Sequence, residues 1–337
     1  MPPPKVAIFS SKPYDEQHLE QANQTRQFEL TFYEPKLSSQ TAALTQGFDV
    51  VCCFVNDVID NPVAETLKNN GVKLVAMRCA GFNNVDLDAC ARHQLTVARV
   101  AEYSPNAVAE HAVALILDLN RNIHRAYSRV RENDYSLNGL MGFDLCGKTV
   151  SAIGGGKIGQ AFIRIMQGFG CRVICFDPKP SDELKNTGVE LVSLEQAWAE
   201  SDIVSLHCPL VRSTYHLINS NSLSQMKQGV MLINISRGGL IDTPAIIKAL
   251  KTGKVAYLGL DVYEEEADLF FEDNSDEMLM DDIFARLTTF KNVVITGHQA
   301  FFTHEALTAI AEVTLSNIDY FTKGELEKVC LVKMSQK

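Results

Sequence analysis

The chain has 337 residues, enough for two domains, and its 46% hydrophobic and 21% charged residues are typical of a soluble globular protein. The net charge of −10 argues against a nucleic-acid partner, because binding phosphates requires a basic surface. No apolar run is long enough to cross a bilayer, and the N-terminal MPPPKVAIFSSK lacks the apolar core of a secretion signal, so we expect neither a membrane anchor nor export.

The cysteines point to a reducing compartment. Nine is an odd number, and most of the nine lie in apolar, strand-like runs. No CxxC pair occurs, so neither a zinc ribbon nor a redox dithiol is predicted. Free, buried cysteines are typical of a cytoplasmic protein, and we expect a cytoplasmic location.

Short β-branched runs alternate with helical patterns along most of the chain. The first set of predicted strands covers 5–10, 50–55, 72–79 and 95–100, and the second covers 149–154, 172–177, 203–208, 230–236, 255–262 and 292–297. Near-continuous apolar strands separated by helices are typical of parallel sheets covered on both faces. We therefore predict an α/β fold with two Rossmann-like or flavodoxin-like parallel-sheet domains.

The order of the elements predicts that one domain is inserted into the other. The helical stretch 105–131 links the two strand sets, and the last helix, 303–323, could carry the chain back to the first domain. We predict a discontinuous domain of residues 1–100 plus 299–337 and an inserted nucleotide-binding domain of residues 101–298. Ligands of such a pair bind in the inter-domain cleft, at the carboxyl ends of the strands.

A glycine-rich turn follows the strand 149–154. Gly154, Gly156 and Gly159 form a GxGxxG pattern. The first glycine permits a tight turn, the second lets the backbone approach a pyrophosphate, and the third lets the helix pack closely on the strand. A GxGxxG by itself is weak evidence, since glycine clusters also close ordinary turns. Here a strand precedes it and a helix follows, as a dinucleotide site requires.

The surroundings of this turn favour NAD as the cofactor. The amides of Lys157 and Ile158 open the following helix, whose N-terminus attracts anions. The next strand ends in Asp177, 23 residues after Gly154. A carboxylate at that place can accept both ribose hydroxyls of an adenosine and repels a 2′-phosphate, so NAD is favoured over NADP.

Three strands of the second set end in polar residues that could act on a 2-oxo acid. Arg237 follows 230–236, the glutamates 264–266 follow 255–262, and His298 follows 292–297. Together they offer a guanidinium for a carboxylate, an imidazole as proton donor and a carboxylate to keep the imidazole charged.

Each of these residues also has an ordinary structural explanation. Arg237 could pair with the acidic run 264–282, which holds ten acids and no Lys or Arg, and His298 could cap the following helix. Charge runs are usually exposed and inert. A metal site at His298, His304 and Glu305 is not favoured, because the spacing matches no common zinc pattern.

Eight stretches of the chain are long and unusual enough to identify a family. They are RCAGFNNVDLDA (78–89), YSPNAVAEHA (103–112), NRNIHRAY (120–127), GGGKIG (154–159), SLHCPL (205–210), NISRGGLID (234–242), DVYEEEADLFFED (261–273) and GHQAFFTHEAL (297–307). The chain resembles the D-specific 2-hydroxyacid dehydrogenases over nearly its whole length. The resemblance is greatest to the fermentative bacterial type of their D-lactate dehydrogenase branch.

The resemblance implies a catalytic role for three residues. Arg237 would bind and polarise the 2-oxo acid, and His298 would be the acid/base. The catalytic glutamate of the family lies five residues beyond the strand-ending aspartate; counting from Asp261 selects Glu266. Glu264 and Glu265 are then predicted to be solvated.

The same resemblance assigns the substrate and cofactor contacts. The backbone of Ala80 and Gly81, the Tyr103 hydroxyl and Arg237 would hold the substrate carboxylate. Phe301, with Phe54 and Phe302, could wall a small pocket suited to pyruvate, although all three could equally be core aromatics. The expected NAD contacts, besides the glycines, are Lys157, Ile158, Asp177, Cys208, Pro209, Thr214, Ile235, Ser236 and Asp261.

The expected reaction is reduction of pyruvate to D-lactate by NADH, in a homodimer or homotetramer. One alternative is a relative that acts on phenylpyruvate, hydroxypyruvate or a branched oxo acid. Another, from a different class, is an NAD-sensing binding protein of the C-terminal-binding corepressor type, since those proteins keep the Arg/Glu/His set.

Overall fold

The structure is a computed structural model that describes residues 3–266 and 269–332. It separates into two compact units. Residues 3–104 and 302–332 form the discontinuous unit, and Pro105–Phe301 form the inserted unit. These divisions lie a few residues C-terminal to the boundaries at 100/101 and 298/299 expected from the sequence.

The discontinuous unit is built on a five-stranded parallel sheet with the strand order β2-β1-β3-β4-β5. Its strands are β1 (Lys5–Ile8), β2 (Glu29–Phe32), β3 (Val50–Cys53), β4 (Leu74–Met77) and β5 (Thr96–Arg99). Its helices are α1 (Pro13–Asn23), α2 (Asn61–Asn69), α3 (Leu87–Arg92) and α12 (His304–Lys323). α12 packs against α1 and β4, and its Ala311, Leu315 and Ile318 are buried in the core of this unit.

The inserted unit is built on a seven-stranded parallel sheet with the strand order β12-β11-β10-β9-β6-β7-β8. Its strands are β6 (Thr149–Ile153), β7 (Arg172–Phe176), β8 (Glu190–Leu191), β9 (Ile203–Leu206), β10 (Val230–Asn234), β11 (Val255–Leu260) and β12 (Val293–Ile295). Its helices are α4 (Pro105–Arg121), α5 (Ile123–Arg131), α6 (Lys157–Gly168), α7 (Asp182–Asn186), α8 (Leu194–Glu200), α9 (Ser220–Gln225), α10 (Thr243–Lys251) and α11 (Asp282–Thr288).

Both sheets are parallel in every strand pair described, so the predicted α/β class with two parallel sheets is confirmed. The central strands are buried along their whole length, as the apolar runs predict. The sequence did not reveal β2 and β8. Both lie at sheet edges, and their residues are partly or fully exposed. An edge strand does not need a continuous apolar run, so its composition resembles that of a loop.

The inserted sheet reverses its direction of winding between β6 and β9. The chain runs from β6 outward through β7 and β8, then returns to β9 on the other side of β6 and continues outward to β12. Such a switch point places the loops after β6 and β9 on either side of a crevice at the carboxyl edge, where nucleotides bind. Within residues 3–266 and 269–332, no helix has the length and apolar character needed to span a membrane.

Candidate active site

The glycine turn after β6 leaves no room for side chains at two of its positions. Gly154 has φ +108°, and a Cβ there would lie 2.8 Å from the backbone of His207 and Cys208. A Cβ on Gly159 would lie 2.1 Å from the Gly154 carbonyl oxygen. A Cβ on Gly156, the residue that caps α6, would meet nothing within 4 Å. The turn therefore packs closely against neighbouring backbone at Gly154 and Gly159 but is open at Gly156, at the N-terminus of α6. An open helix N-terminus is suited to binding a pyrophosphate.

Asp177, directly after β7, is oriented by the backbone. One carboxylate oxygen accepts the Gly155 amide at 2.8 Å, and the other accepts the Lys179 amide at 2.8 Å. These bonds hold the carboxylate beside the glycine turn and leave each oxygen with a further lone pair. The geometry is suited to accepting ribose hydroxyls, and NAD fits the donor and acceptor groups of this turn.

The loops after β9 and β10 are tied to each other at residues predicted to contact the cofactor. The Ser236 hydroxyl donates to the Cys208 carbonyl at 2.6 Å, and the Thr214 hydroxyl donates to the Pro209 carbonyl at 2.7 Å. Ile235 is buried. The structure thus brings these residues into one region beside the glycine turn, and their contacts with NAD stay a prediction.

His207 has an unusual environment that the sequence did not indicate. Both ring nitrogens are enclosed and have no hydrogen-bond partner among the described residues, although other atoms of the residue are partly exposed. The ring lies against Phe162, with 4.7 Å between the ring centroids. Burial lowers the pKa of His207 from 6.5 to about 3, so the imidazole is neutral at physiological pH.

Asp261, at the end of β11, organises the turn that carries His298. The residue is fully buried. Its Oδ1 accepts the Thr296 hydroxyl at 2.6 Å and the Gln299 amide at 2.9 Å, and its Oδ2 accepts the Ala300 amide at 2.8 Å. The carboxylate therefore braces residues 296–300 from inside the fold. A contact from Asp261 to the nicotinamide carboxamide stays a prediction beside this structural role.

His111 on α4 joins the same arrangement. Its Nε2 lies 2.9 Å from the Thr296 hydroxyl oxygen and 3.3 Å from Oδ1 of Asp261. Sequence reasoning missed this residue. It belongs to the stretch 103–112, but its partners lie far along the chain, and no local pattern connects them.

His298 and Glu266 form a hydrogen-bonded pair. His298 Nδ1 lies 2.9 Å from Glu266 Oε1, with side chains that are 17% and 22% exposed. Glu266 Oε2 accepts the Tyr263 amide at 2.9 Å, which orients the carboxylate. His298 has φ +53°, and its amide donates to the Asp261 carbonyl at 2.7 Å. Because the carboxylate occupies Nδ1, Nε2 is the nitrogen that can exchange a proton with a substrate.

Arg237 follows β10 and lies at the same edge of the sheet as this pair. β10, β11 and β12 are neighbours, so Arg237, Glu266 and His298 follow three adjacent parallel strands. Buried Asn234 holds the arginine turn by donating to the Arg237 carbonyl at 2.8 Å. The guanidinium donates to the Ser236 carbonyl at 2.6 Å. Its remaining N–H groups could bind a substrate carboxylate.

The residues predicted to hold the substrate from the discontinuous unit lie after β4 and β5. The Ala80 carbonyl accepts a bond from Arg99 at 2.8 Å, and the Gly81 carbonyl accepts one from the Cys79 thiol at 3.3 Å. Tyr103 is partly exposed. Phe301 belongs to the inserted unit and is 9% exposed. Their contacts with a substrate stay predictions.

Arg78, which opens the stretch 78–89, braces this part of the discontinuous unit. The residue is 1% exposed, and its guanidinium donates to the carbonyls of Phe9 and Ser10 and to Asp15. Burial alone would lower the pKa of Arg78, but the neighbouring carboxylates raise it above its usual value, so the group stays charged. Phe54 lies under this guanidinium at 4.9 Å, which makes it a packing partner of Arg78.

The prediction that Glu264 is solvated is wrong. Its side chain is only 19% exposed, and it accepts bonds from His216 and Thr243. The turn after β11 folds back onto the start of α10 and the loop before α9, which encloses this carboxylate. Glu265 is exposed, as expected. Residues 267 and 268 of the acidic run lie outside the described residues.

Known proteins are similar to this chain over most of its length. Residues 113–300 match the family model described as the NAD binding domain of D-isomer specific 2-hydroxyacid dehydrogenase. The chain is 53% identical to D-lactate dehydrogenase of Escherichia coli (strain K12), over 95% of this chain and 98% of that protein. The chain belongs to the D-isomer specific 2-hydroxyacid dehydrogenase family. The protein is thus an NAD-dependent D-2-hydroxyacid dehydrogenase, and both the predicted enzyme class and the predicted cofactor are confirmed.

Solved structures of other members share the fold. The pyruvate reductase of Chlamydomonas reinhardtii matches with a TM-score of 0.91 and 46% identity, over 96% of this chain and 97% of that chain. D-lactate dehydrogenase from Aquifex aeolicus, complexed with NAD and lactic acid, matches with a TM-score of 0.85 and 32% identity, over 96% and 97%. The fold described above is therefore that of the 2-hydroxyacid dehydrogenase family.

Proposed function

We propose that this dehydrogenase reduces pyruvate to D-lactate with NADH and that His298 donates the proton. The observation that carries the proposal is the 2.9 Å pair of His298 and Glu266. It lies at the carboxyl edge of the sheet that also carries the glycine turn and Arg237. The 53% identity to a D-lactate dehydrogenase supports pyruvate as the substrate.

The chemistry divides between the cofactor and two side chains. NADH, when bound, supplies the hydride that adds to C2 of the 2-oxo acid. His298, as imidazolium, delivers a proton from Nε2 to the carbonyl oxygen as the C–O double bond becomes a single bond. Glu266 accepts a hydrogen bond from Nδ1 and holds the ring in one orientation throughout.

Arg237 has the task of binding and polarising the substrate. Its guanidinium would grip the carboxylate and stabilise negative charge that develops on the carbonyl oxygen. The resemblance also implies that the Ala80–Gly81 backbone and the Tyr103 hydroxyl hold the carboxylate. The aromatic side chain of Phe301 is our candidate for limiting the size of the pocket. We keep these roles as part of the proposal.

The cofactor would be held at the glycine turn. The amides of Lys157 and Ile158 would bind the pyrophosphate at the N-terminus of α6. Asp177 would accept the ribose hydroxyls. The other contacts would come from the loops and strand end at Cys208, Pro209, Thr214, Ile235, Ser236 and Asp261.

We further propose a cytoplasmic homo-oligomer built on the inserted unit. None of the nine cysteines, all of which lie in the described residues, forms a disulfide, which suits a reducing compartment. Large apolar side chains stand exposed along α5 and the segment after it: Tyr127, Val130, Leu137 and Met141 are 63%, 53%, 82% and 88% exposed. Exposed apolar groups concentrated in one stretch are typical of an interface, and a second copy of this chain is the proposed partner.

The test is steady-state NADH oxidation with a panel of 2-oxo acids, followed by chiral analysis of the product. Pyruvate should give the highest kcat/KM, and the product should be D-lactate. Preference for phenylpyruvate or hydroxypyruvate would contradict the proposed substrate. Cofactor binding without turnover of any 2-oxo acid would favour the binding-protein alternative.

A further inference from the structure

We propose that Glu264 is a positioning residue that holds the turn of Arg237 and the turn of Glu266 in register. The inference rests on the proposed function, because it concerns the geometry of the same site. It assigns a task to a residue that neither touches the substrate in the proposed mechanism nor belongs to the exposed acidic surface.

The carboxylate of Glu264 receives bonds from two other segments of the inserted unit. Its Oε1 lies 2.5 Å from His216 Nε2, and its Oε2 accepts the Thr243 hydroxyl at 3.1 Å. His216 precedes α9, and Thr243 is the first residue of α10. The side chains of Glu264 and His216 are only 19% and 30% exposed. A partly desolvated carboxylate with two donors from separate segments is a cross-link between them.

His216 is itself fixed to the turn that carries Arg237. Its φ is +50°, and its amide donates to the Gly239 carbonyl at 2.9 Å. Two residues on, the Ile218 amide donates to the Leu240 carbonyl at 2.9 Å. The segment 216–218 thus runs beside 239–241 as a short parallel bridge. His216 therefore connects the Glu264 carboxylate, through its ring, to the backbone that follows Arg237, through its amide.

The backbone of Glu264 touches the arginine turn directly. A Cβ on Gly238 would lie 2.0 Å from the carbonyl carbon and oxygen of Tyr263 and 2.4 Å from the Glu264 amide nitrogen. The adjoining Tyr263 amide donates to Oε2 of Glu266. Residues 263 and 264 therefore contact the turn of Arg237 on one side and orient the partner of His298 on the other.

Through these contacts, the position of Glu264 determines how the turn of Arg237 and the turn of Glu266 are placed. Loss of its carboxylate would release the 263–264 backbone from His216 and Thr243. Arg237 and Glu266 could then move relative to each other. A misplacement of about 1 Å in a catalytic group can lower a rate on the order of 100-fold.

The experiment compares Glu264→Ala, Glu264→Gln and Glu265→Ala as full-length proteins in pyruvate reduction. Glu264→Ala should lower kcat/KM for pyruvate by about 10- to 100-fold. Its dissociation constant for NADH, from fluorescence titration, should change far less. Glu264→Gln should recover most of the activity, because its amide oxygen can accept the His216 bond while its NH2 group donates to the Thr243 hydroxyl oxygen. Glu265→Ala, at the exposed neighbour, should match the wild type.

The double variant His216→Ala/Glu264→Ala adds a test of the link itself. It should lose little more kcat/KM than Glu264→Ala, because both changes remove the same connection. If Glu264→Ala does not fold, Thr243→Val replaces it, since that change deletes one donor at nearly constant volume. A severalfold loss of kcat/KM for pyruvate is then expected from Thr243→Val.

The possible failures can be told apart. If the wild type reduces pyruvate and Glu264→Ala behaves like Glu265→Ala, the role of Glu264 is refuted while the proposed function stands. The role is also refuted if the activity lost by Glu264→Ala equals the fraction of protein that is unfolded, measured by circular dichroism. A wild type inactive with every 2-oxo acid would refute the proposed function, and this role with it.

Discussion

His298 Nδ1 lies 2.9 Å from Oε1 of Glu266, although the two residues are 32 positions apart in the chain. Both are held by backbone groups that follow β11: the Asp261 carbonyl accepts the His298 amide, and the Tyr263 amide donates to the Glu266 carboxylate. The pair is thus set by backbone contacts on both sides rather than by the two side chains alone. It is an arrangement in which a proton can be held on one ring nitrogen while the other reacts.

Replacing the histidine should remove the proton donor and leave the fold intact. His298→Gln should lower pyruvate reduction by about 10²- to 10⁴-fold, the usual contribution of general acid catalysis. NADH should still bind, because the glycine turn and Asp177 are untouched. Stopped-flow or steady-state NADH oxidation, with a fluorescence titration of NADH, measures both. Turnover equal to that of the wild type would remove His298 from the mechanism.

Replacing the glutamate partner should lower the rate of pyruvate reduction. Glu266→Gln can keep a hydrogen bond to Nδ1 but removes the carboxylate charge beside the ring and one of the two oxygens that fix the side chain. The ring is then oriented less well for proton transfer, and kcat/KM for pyruvate should fall. A kcat/KM profile from pH 5 to 9 measures this.

The exposed neighbour serves as the control for that variant. Glu265→Gln should leave the profile nearly unchanged. A strong effect at Glu265 with none at Glu266 would show that the glutamate was assigned to the wrong position of the turn.

The cofactor preference should depend on Asp177. Asp177→Ser keeps a hydroxyl oxygen near the Gly155 amide and removes the charge that repels a 2′-phosphate. A repulsion of ~1–4 kcal/mol between the Asp177 carboxylate and a 2′-phosphate corresponds to a factor on the order of ten or more in kcat/KM. The ratio of kcat/KM with NADH to that with NADPH should fall by this factor in Asp177→Ser. The control is Asp182→Ser, at a carboxylate whose side chain is 91% exposed on α7. An unaltered ratio in Asp177→Ser would place the ribose elsewhere.

His207 should make the folded protein less stable in mild acid. Burial lowers its pKa from 6.5 to about 3 in the folded protein. Between those values the unfolded chain takes up a proton that the folded protein does not. Stability from this group is therefore present above pH 6.5 and is lost as the pH falls toward 3.

The replacement His207→Phe isolates this contribution. Between pH 7 and pH 5 the wild type should lose roughly 2 kcal/mol more unfolding free energy than the variant, because only its unfolded state binds this proton. Urea unfolding of both cofactor-free proteins at the two pH values measures the difference. Equal losses would show that the His207 ring is protonated in the folded protein.

The exposed apolar side chains of α5 should mediate self-association. Val130→Glu introduces a charge at their centre and should convert the oligomer to monomers at micromolar concentration, measured by light scattering after gel filtration. Leu326→Glu, at a side chain that is 47% exposed in the discontinuous unit, should leave the mass unchanged. A monomeric wild type, or an oligomeric Val130→Glu, would contradict the proposed interface.

Local sequence patterns were sufficient for the fold class and the cofactor. Parallel strands that are buried on both faces must be apolar along their length. Strands such as 149–154 and 230–236 can therefore be predicted from the sequence alone. The edge strands β2 and β8 were not predicted, because strands that are exposed or half-exposed do not need a continuous apolar run. The glycine turn and Asp177 were readable because a pyrophosphate imposes a strand, a turn and a helix within one short segment.

The sequence by itself determined the family, the glycine turn and the candidates Arg237, Glu266 and His298. Only the tertiary structure decided what surrounds them. Nothing local distinguishes Glu264 from Glu265, yet one is enclosed by His216 and Thr243 and the other is exposed. Likewise, the bracing of Thr296 by His111 and Asp261 joins three distant segments. Such contacts form because the ends of separate strands lie side by side in the folded sheet. A pattern read along the chain does not give the distances between those strand ends.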